Sequence, residues 1–182
     1  MKAVLISIQP ESCELIASGK KTIEVRKTYP KIERPFKCYI YMTATKERCR
    51  FWEYITAYQN SKGEILDGSQ KVIGEFVCDR IDEIKASNAI QAHYNNSEET
   101  CLTDFALQVY AGNKTVYGWR ISDLKIYDKP KKISEFRKPC PYGDLPCWSC
   151  PSCDKDENDN LIQCFNTVSH PPQSWCYVEE SK

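Results

Sequence analysis

The chain has 182 residues, 25 Lys+Arg against 25 Asp+Glu, 41% apolar residues and 11 cysteines, the make-up of one ordinary globular domain with room for a small appendage. No apolar run approaches the ~18–20 residues of a membrane helix, and no apolar stretch follows Lys2 as a secretory signal would require, so a cytoplasmic protein is expected. Zero net charge argues against a generally basic nucleic-acid binder, yet residues 1–50 hold 11 Lys/Arg against 5 Asp/Glu and the remainder 14 against 20. The basic N-terminal segment keeps polyanionic ligands open.

In chain order, Val4-Leu5-Ile6-Ser7-Ile8 is short and β-branched and is stopped by Gln9-Pro10, which predicts a strand ending in a turn. Pro10 suits a first helical turn, Leu15 and Ile16 mark an apolar face and Gly19 stands at C′, predicting a helix over 11–18. Thr22 to Arg26 alternates, with Ile23 and Val25 toward the core and Lys20, Thr22, Glu24 and Arg26 on the other face. Strands are expected from Cys38 to Thr43 and from Val72 to Ile81. A helix is expected from Ser97, its N-cap, to Tyr110, and a strand from Tyr117 to Tyr127 that Lys129-Pro130-Lys131-Lys132 ends. Several short strands, two or three helices and no βαβ alternation predict an α+β chain, a small mixed β-barrel over 1–138. The remainder, 139–182, is rich in cysteine and proline and too poor in apolar side chains to build a core unaided.

The sharpest motif is Gly19-Lys20-Lys21-Thr22-Ile23-Glu24-Val25-Arg26, which fits G-x-K-x-x-E-x-R. Gly19 lets the chain turn after the helix, Lys21 lies at the strand entrance, and Glu24 and Arg26 project from one strand face. A cation, a carboxylate and a guanidinium on one concave side can grip a phosphate or a nucleobase edge, or depress a lysine pKa for base or nucleophile chemistry. The plain alternative is an exposed strand face whose charges pair with one another.

Ser7-Ile8-Gln9-Pro10, the following helix and the G-x-K-x-x-E-x-R spacing resemble the signature of the ASCH domain, a relative of the PUA-like barrels. Lys71 to Ile81 and Gly118 to Tyr127 resemble that family's remaining core strands, so the resemblance covers about 1–138. It implies a barrel whose cleft is lined by the signature residues and binds RNA or a modified nucleoside. Some family members are amidohydrolases acting on N4-acetylcytidine, and a nuclease activity is also associated with the family. Carried over residue by residue, the resemblance implies Lys21 as a catalytic residue, with Glu75 the nearest match to the family's catalytic glutamate. The deacetylating members have a threonine where this chain has Glu24, and Thr22 is one possible substitute. Glu24 as general base on water, with Lys21 stabilising an oxyanion, is another route.

Nucleic-acid binding asks less of the sequence. Lys20, Lys21, Arg26, Lys27, Lys31, Arg34 and Lys37 are interleaved with Tyr29 and Phe36, and Tyr39, Tyr41, Arg48, Arg50 and Trp52 follow. Cations hold phosphates and aromatic faces stack unpaired bases, while Phe36 and one of the tyrosine pair are expected in the core. The expected ligand-binding set is Lys20, Lys21, Arg26, Tyr41, Trp119 and Arg120, and the expected partner is single-stranded RNA or a modified nucleoside.

The tail carries the second motif, Cys140-x6-Cys147-x2-Cys150-x2-Cys153 followed by Cys164 and Cys176. Overlapping C-x2-C steps in a segment without a core suit structural zinc, with four of Cys140, Cys147, Cys150, Cys153 and Cys164 as ligands. An iron–sulfur cluster and disulfides are the alternatives. The first lacks its fourth cysteine, since Glu157 stands there, and the second is disfavoured by an odd cysteine count without a secretory signal. A protein-interaction adaptor working through this tail is a further reading. Cys13, Cys38, Cys49, Cys78 and Cys101 are scattered, His93 and His170 stand in no motif, and no phosphate-binding glycine loop, H-E-x-x-H or nucleophile elbow is present. Pro171 to Val178 reads as an extended arm leading into a terminal strand, with Trp175 or Tyr177 docking on the main domain.

Overall fold

The computed structural model describes residues 2–44, 56–84, 97–142, 149–151, 153–158 and 160–180. Strands β1 (Lys2–Ile8), β3 (Phe36–Met42), β6 (Lys71–Cys78), β9 (Ser122–Lys132) and β12 (Trp175–Glu179) form a five-stranded sheet in the order β12-β1-β3-β6-β9. Only the β1–β3 pair is parallel, and the intervening chain supplies the crossover helix α1 (Pro10–Ala17). Strands β2 (Ile23–Arg26), β8 (Val116–Arg120) and β7 (Ile81–Ile84) form an antiparallel three-stranded sheet. Two hairpins, β4 (Ala57–Gln59) with β5 (Ile65–Asp67) and β10 (Asp154–Lys155) with β11 (Leu161–Gln163), stand apart. Helices α2 (Ser97–Thr100) and α3 (Asp104–Ala111) precede β8, giving the expected mixed α+β class. Among the described residues no helix is long and apolar enough to cross a membrane.

The large sheet is apolar on both faces, which follows from the near-continuous hydrophobic run of β1. Val4, Ile6 and Ile8 with Ile40, Met42, Ile73 and Phe76 face the main core, where Trp119 is fully buried. Ala3, Leu5, Tyr39 and Tyr41 face the opposite way, onto Tyr127, Phe136, Val168 and Val178. That second face is therefore covered by the chain after β9 and by the tail. Val168 N–H donates to the Phe136 carbonyl at 2.8 Å and Lys138 N–H to the Asn166 carbonyl at 2.8 Å. Each large apolar side chain so buried contributes about 1.5–3 kcal/mol.

Three expected elements are corrected. The helix read from Ser97 to Tyr110 is broken at Cys101, whose φ is +52°, and restarts where the Thr103 hydroxyl accepts from Ala106 N–H at 3.1 Å. The strand read through Ile81 divides into β6 and β7, and that read from Tyr117 to Tyr127 divides into β8 and β9, so the chain changes sheet at both places. Lys129-Pro130-Lys131-Lys132 does not end β9. The strand runs through it, because β9 is a sheet edge where the missing proline N–H has no ladder partner to lose.

Candidate functional site

Gln9 caps α1, Pro10 occupies its first turn, and Cys13 and Ile16 bury the apolar stripe. Gly19 takes φ +74°, and Lys21 N–H returns to the Leu15 carbonyl at 2.9 Å, so the chain folds around the helix end straight into β2. On β2, Ile23 and Val25 face outward, Val25 packing with Ile84, Leu107, Ala111 and Val116 under α3. Glu24 lies opposite Trp119 in the β2–β8 ladder and shares its inward face. The alternation is as read from sequence, but α3 covers one side and the main core the other, so no residue of β2 is exposed.

Lys21, Glu24 and Arg26 are 3%, 7% and 8% exposed. Lys21 Nζ donates to the Thr100 carbonyl at 2.5 Å and stands 3.5 Å from Glu24 Oε2. Arg26 Nη2 is 3.0 Å from Glu24 Oε1 and donates to the Ser7 carbonyl at 2.6 Å. Two cations thus flank one carboxylate, leaving a local excess of positive charge in a poorly solvated place. Glu24 Oε2, Arg26 Nε and Thr22 Oγ1 are buried without a hydrogen-bond partner among the described residues. Buried polar atoms are ordinarily paired; of these three, Glu24 Oε2 has Lys21 Nζ as an ionic neighbour.

The set opens into a cleft of about 1010 Å³, also lined by Ser7, Gln9, Tyr41, Gln70 and Tyr110. Burial pushes the Tyr41 and Tyr110 hydroxyls up, and for Tyr110 the Arg26 guanidinium opposes that shift while Glu24 adds to it. The opposite wall is Pro171, Pro172, Gln173 and Ser174 from the tail. It is fastened through Ser7, whose hydroxyl donates to the Pro172 carbonyl at 2.7 Å and whose N–H donates to the Ser174 carbonyl at 2.8 Å. The strand that follows, β12, pairs with β1. Trp175 Nε1 donates to Thr28 Oγ1 at 3.1 Å and its ring lies 6.1 Å from that of Trp119.

Other expected site residues lie elsewhere. Trp119 is enclosed by Phe36 and Trp175, so it has no free face for a base; it is a core residue. Arg120 is bonded to Asp82 on β7 at 3.0 Å and to Glu99 on α2 at 3.0 Å, and does not line the cleft. Lys20 is exposed outside the cleft lining. Glu75 pairs with Tyr39, deeper along β3 than Tyr41, where it accepts from the Tyr127 hydroxyl at 2.6 Å and meets Lys37 at 3.4 Å. It is a sheet residue rather than a cleft residue. Tyr110 is not among the expected site residues, because nothing local marks a helix end as part of the cleft, whereas the wall from the tail agrees with the extended arm read as closing back onto the main domain.

In the tail, desolvation and then the neighbouring Cys150 and Cys164 thiols push the Cys153 thiol up to about 11. Cys140 N–H reaches Glu179 Oε1 at 3.4 Å, and Cys147 lies outside the described residues, as do Cys49, His93, Arg48, Arg50 and Trp52. None of the nine described cysteines is in a disulfide.

A five-stranded mixed sheet with a crossover helix leading into the G-x-K-x-x-E-x-R strand gives the chain an α+β fold, and that fold is similar to solved ASCH structures. The ASCH protein of Zymomonas mobilis superposes with a TM-score of 0.51 at 20% identity, covering 72% of this chain and 73% of that one. Two of its point variants superpose equally, one at 19% identity over 73% of this chain and 77% of that one, the other at 20% over 71% and 73%. No family model matches the chain, and no curated protein matches its sequence. The likeness is one of fold.

Proposed function

We propose that the cleft binds single-stranded RNA or a modified nucleoside, reading a base edge through Glu24 and Arg26. The observation that carries this is the buried Lys21–Glu24–Arg26 set, in which Glu24 Oε2, 3.5 Å from Lys21 Nζ, and Arg26 Nε have no hydrogen-bond partner among the described residues. A phosphate asks for cations alone and would be repelled by the Glu24 carboxylate. A base edge offers N–H groups and a carbonyl together, which matches one carboxylate oxygen beside one guanidinium N–H. Tyr41 and Tyr110 supply apolar wall, and the cleft is of the size that takes one nucleoside or a short strand.

Titration calorimetry with a panel of cytidine derivatives and a short single-stranded RNA tests the reading. Binding is expected for the wild type and is weakened at least tenfold in Arg26→Lys, which keeps the charge and loses the fork. Absence of binding to the whole panel overturns it.

A hydrolytic reading is favoured by one contact, Lys21 Nζ at 3.5 Å from Glu24 Oε2. Glu24 would take a proton from water, the resulting hydroxide would attack an amide carbonyl with Lys21 stabilising the oxyanion, and the tetrahedral intermediate would collapse with cleavage of the C–N bond as Glu24 returns the proton to the leaving amine. Unchanged hydrolysis of N4-acetylcytidine by Lys21→Ala sinks this reading and leaves the binding one untouched.

A further inference from the structure

Helix α3 presents four stripes, one for each i, i+4 pair, because successive residues turn by about 100°. Leu107 and Ala111 are buried against Val25, Ile84 and Val116. Ala106 and Tyr110 line the cleft, as does Leu102 just before the helix. Asp104 and Gln108 are exposed and polar. The fourth pair, Phe105 and Val109, is apolar and 76% and 67% exposed. Around the helix the order is buried pair, cleft pair, apolar pair, polar pair. Phe105 and Val109 therefore form the outer lip of the cleft, with Asp104 and Gln108 beyond them.

The helix itself does not ask for this pair. Its start is capped by the Thr103 hydroxyl and its inner stripe is already buried, and Lys or Gln at either exposed position would hold the helix at least as well. The stripe is also small for a protein partner. A phenyl ring offers at most about 150–250 Å², against ~800 Å² per partner in a stable protein interface, and the polar pair stops the stripe on its far side. On this helix its continuation runs across Ala106 and Tyr110 into the cleft. What covers the lip is then what enters the cleft.

We propose, resting on the nucleic-acid reading of the cleft, that Phe105 is the stacking platform for the base next to the one held at Glu24 and Arg26, so that the site takes single-stranded RNA in preference to a free nucleoside. A ring held on a helix offers a flat face that any base covers, which adds affinity without demanding sequence. Val109, one turn on, widens the lip. The backbone joining the two nucleotides needs a cation at the rim. Lys27 lines the cleft and is exposed, with Nζ 5.0 Å over the Tyr110 ring, and supplies it. Glu24 and Arg26 select one base, and Phe105 accepts whichever neighbour the strand presents.

The test uses the full chain and fluorescence anisotropy with a labelled single-stranded RNA of about ten mixed-sequence nucleotides, displaced by unlabelled cytidine derivatives. Wild type is expected to bind the RNA at least about tenfold more tightly than any nucleoside. Phe105→Ala is expected to weaken RNA binding about 5- to 150-fold, the range for one stacked base. Phe105→Leu, which keeps apolar bulk and loses the aromatic face, is expected to weaken it as well, Phe105→Trp to retain it and Gln108→Ala to match wild type. RNA binding that Arg26→Lys weakens and Phe105→Ala leaves unchanged overturns the platform and keeps the cleft reading. RNA bound no more tightly than a nucleoside, or equal affinity in Phe105→Leu and wild type, also overturns the platform alone. Failure of the RNA and of every nucleoside to bind overturns the cleft reading and the platform with it. A change of oligomeric state in Phe105→Ala by sedimentation velocity, at unchanged RNA affinity, assigns the stripe to a protein contact and overturns the proposal.

Discussion

Arg26 Nη2 is shared between the Glu24 carboxylate at 3.0 Å and the Ser7 carbonyl at 2.6 Å, so one guanidinium ties β2 to the end of β1. Ser7 also anchors the tail through Pro172 and Ser174. The small sheet, the large sheet and the far cleft wall therefore meet at one buried charge.

Arg26→Ala leaves Glu24 with Lys21 as its only ionic partner among the described residues and the Ser7 carbonyl without this donor. Removing one member of a buried charged set costs about 3–5 kcal/mol. A urea melt is expected to show a loss of that size. A loss under about 1 kcal/mol would place Arg26 in solvent and contradict its burial.

Gly74 and Gly118 both sit where a side chain collides, but with different neighbours. A Cβ at Gly74 would meet the Lys125 backbone carbonyl at 2.6 Å, whereas at Gly118 it would meet the end of the Ile23 side chain at 2.9 Å. Backbone yields less readily than a methyl group, and overpacking costs about 1–3 kcal/mol. Gly74→Ala is expected at the upper end of that range and Gly118→Ala below it, measured by denaturant unfolding of the two variants side by side.

Tyr58 gives an alkaline dependence. Burial, with Asp67 adding to it, pushes its hydroxyl up to about 12, against about 10 in an unfolded chain. Above pH ~10 the unfolded state releases this proton first, so the Tyr58 contribution is complete below about 10 and is lost between about 10 and 12. Tyr58→Phe is expected to shrink the fall in stability over that window. Its hydroxyl is buried without a hydrogen-bond partner among the described residues, so the variant is expected to be no less stable than wild type at pH 7. Melts at pH 7 and 11 check both statements.

The barrel cysteines divide by environment. Burial raises the Cys13 and Cys38 thiols well above the ordinary range and pushes Cys78 up to about 12. Cys101 is half-buried at the break between α2 and α3. Because the thiolate is the reactive form, iodoacetamide at pH 8 is expected to label Cys101 first and Cys13, Cys38 and Cys78 only on unfolding. Peptide mass spectrometry reads the order, and labelling of native Cys78 ahead of Cys101 would contradict it.

What was legible in the sequence was local. Gly19, the two-residue alternation of β2 and the burial of Phe36 and Cys78 follow from turn chemistry and strand period, which act over a few residues. Trp119, Arg120 and Glu75, which the strand pattern places in the site, are strand neighbours of plausible site residues. Their roles depend on which sheet face the fold covers, and no local pattern carries that information. The breaks at Cys101 and between β8 and β9 were hidden for the same reason: each is imposed by packing against a distant strand.

By itself the sequence determined that a cation, a carboxylate and a guanidinium leave one helix end together, since spacing on a helix–turn–strand unit sets their mutual positions. It also determined that the tail must be held by something other than an apolar core. Only the tertiary structure decided that both faces of β2 are covered, which turns an ordinary charged strand face into a buried set. Only the tertiary structure, too, closes the cleft with Pro171–Ser174, because the bonds from Ser7 to Pro172 and Ser174 span more than 160 residues. Contacts at that separation are selected by the free energy of the whole fold, not by any pattern within reach of the residues that make them.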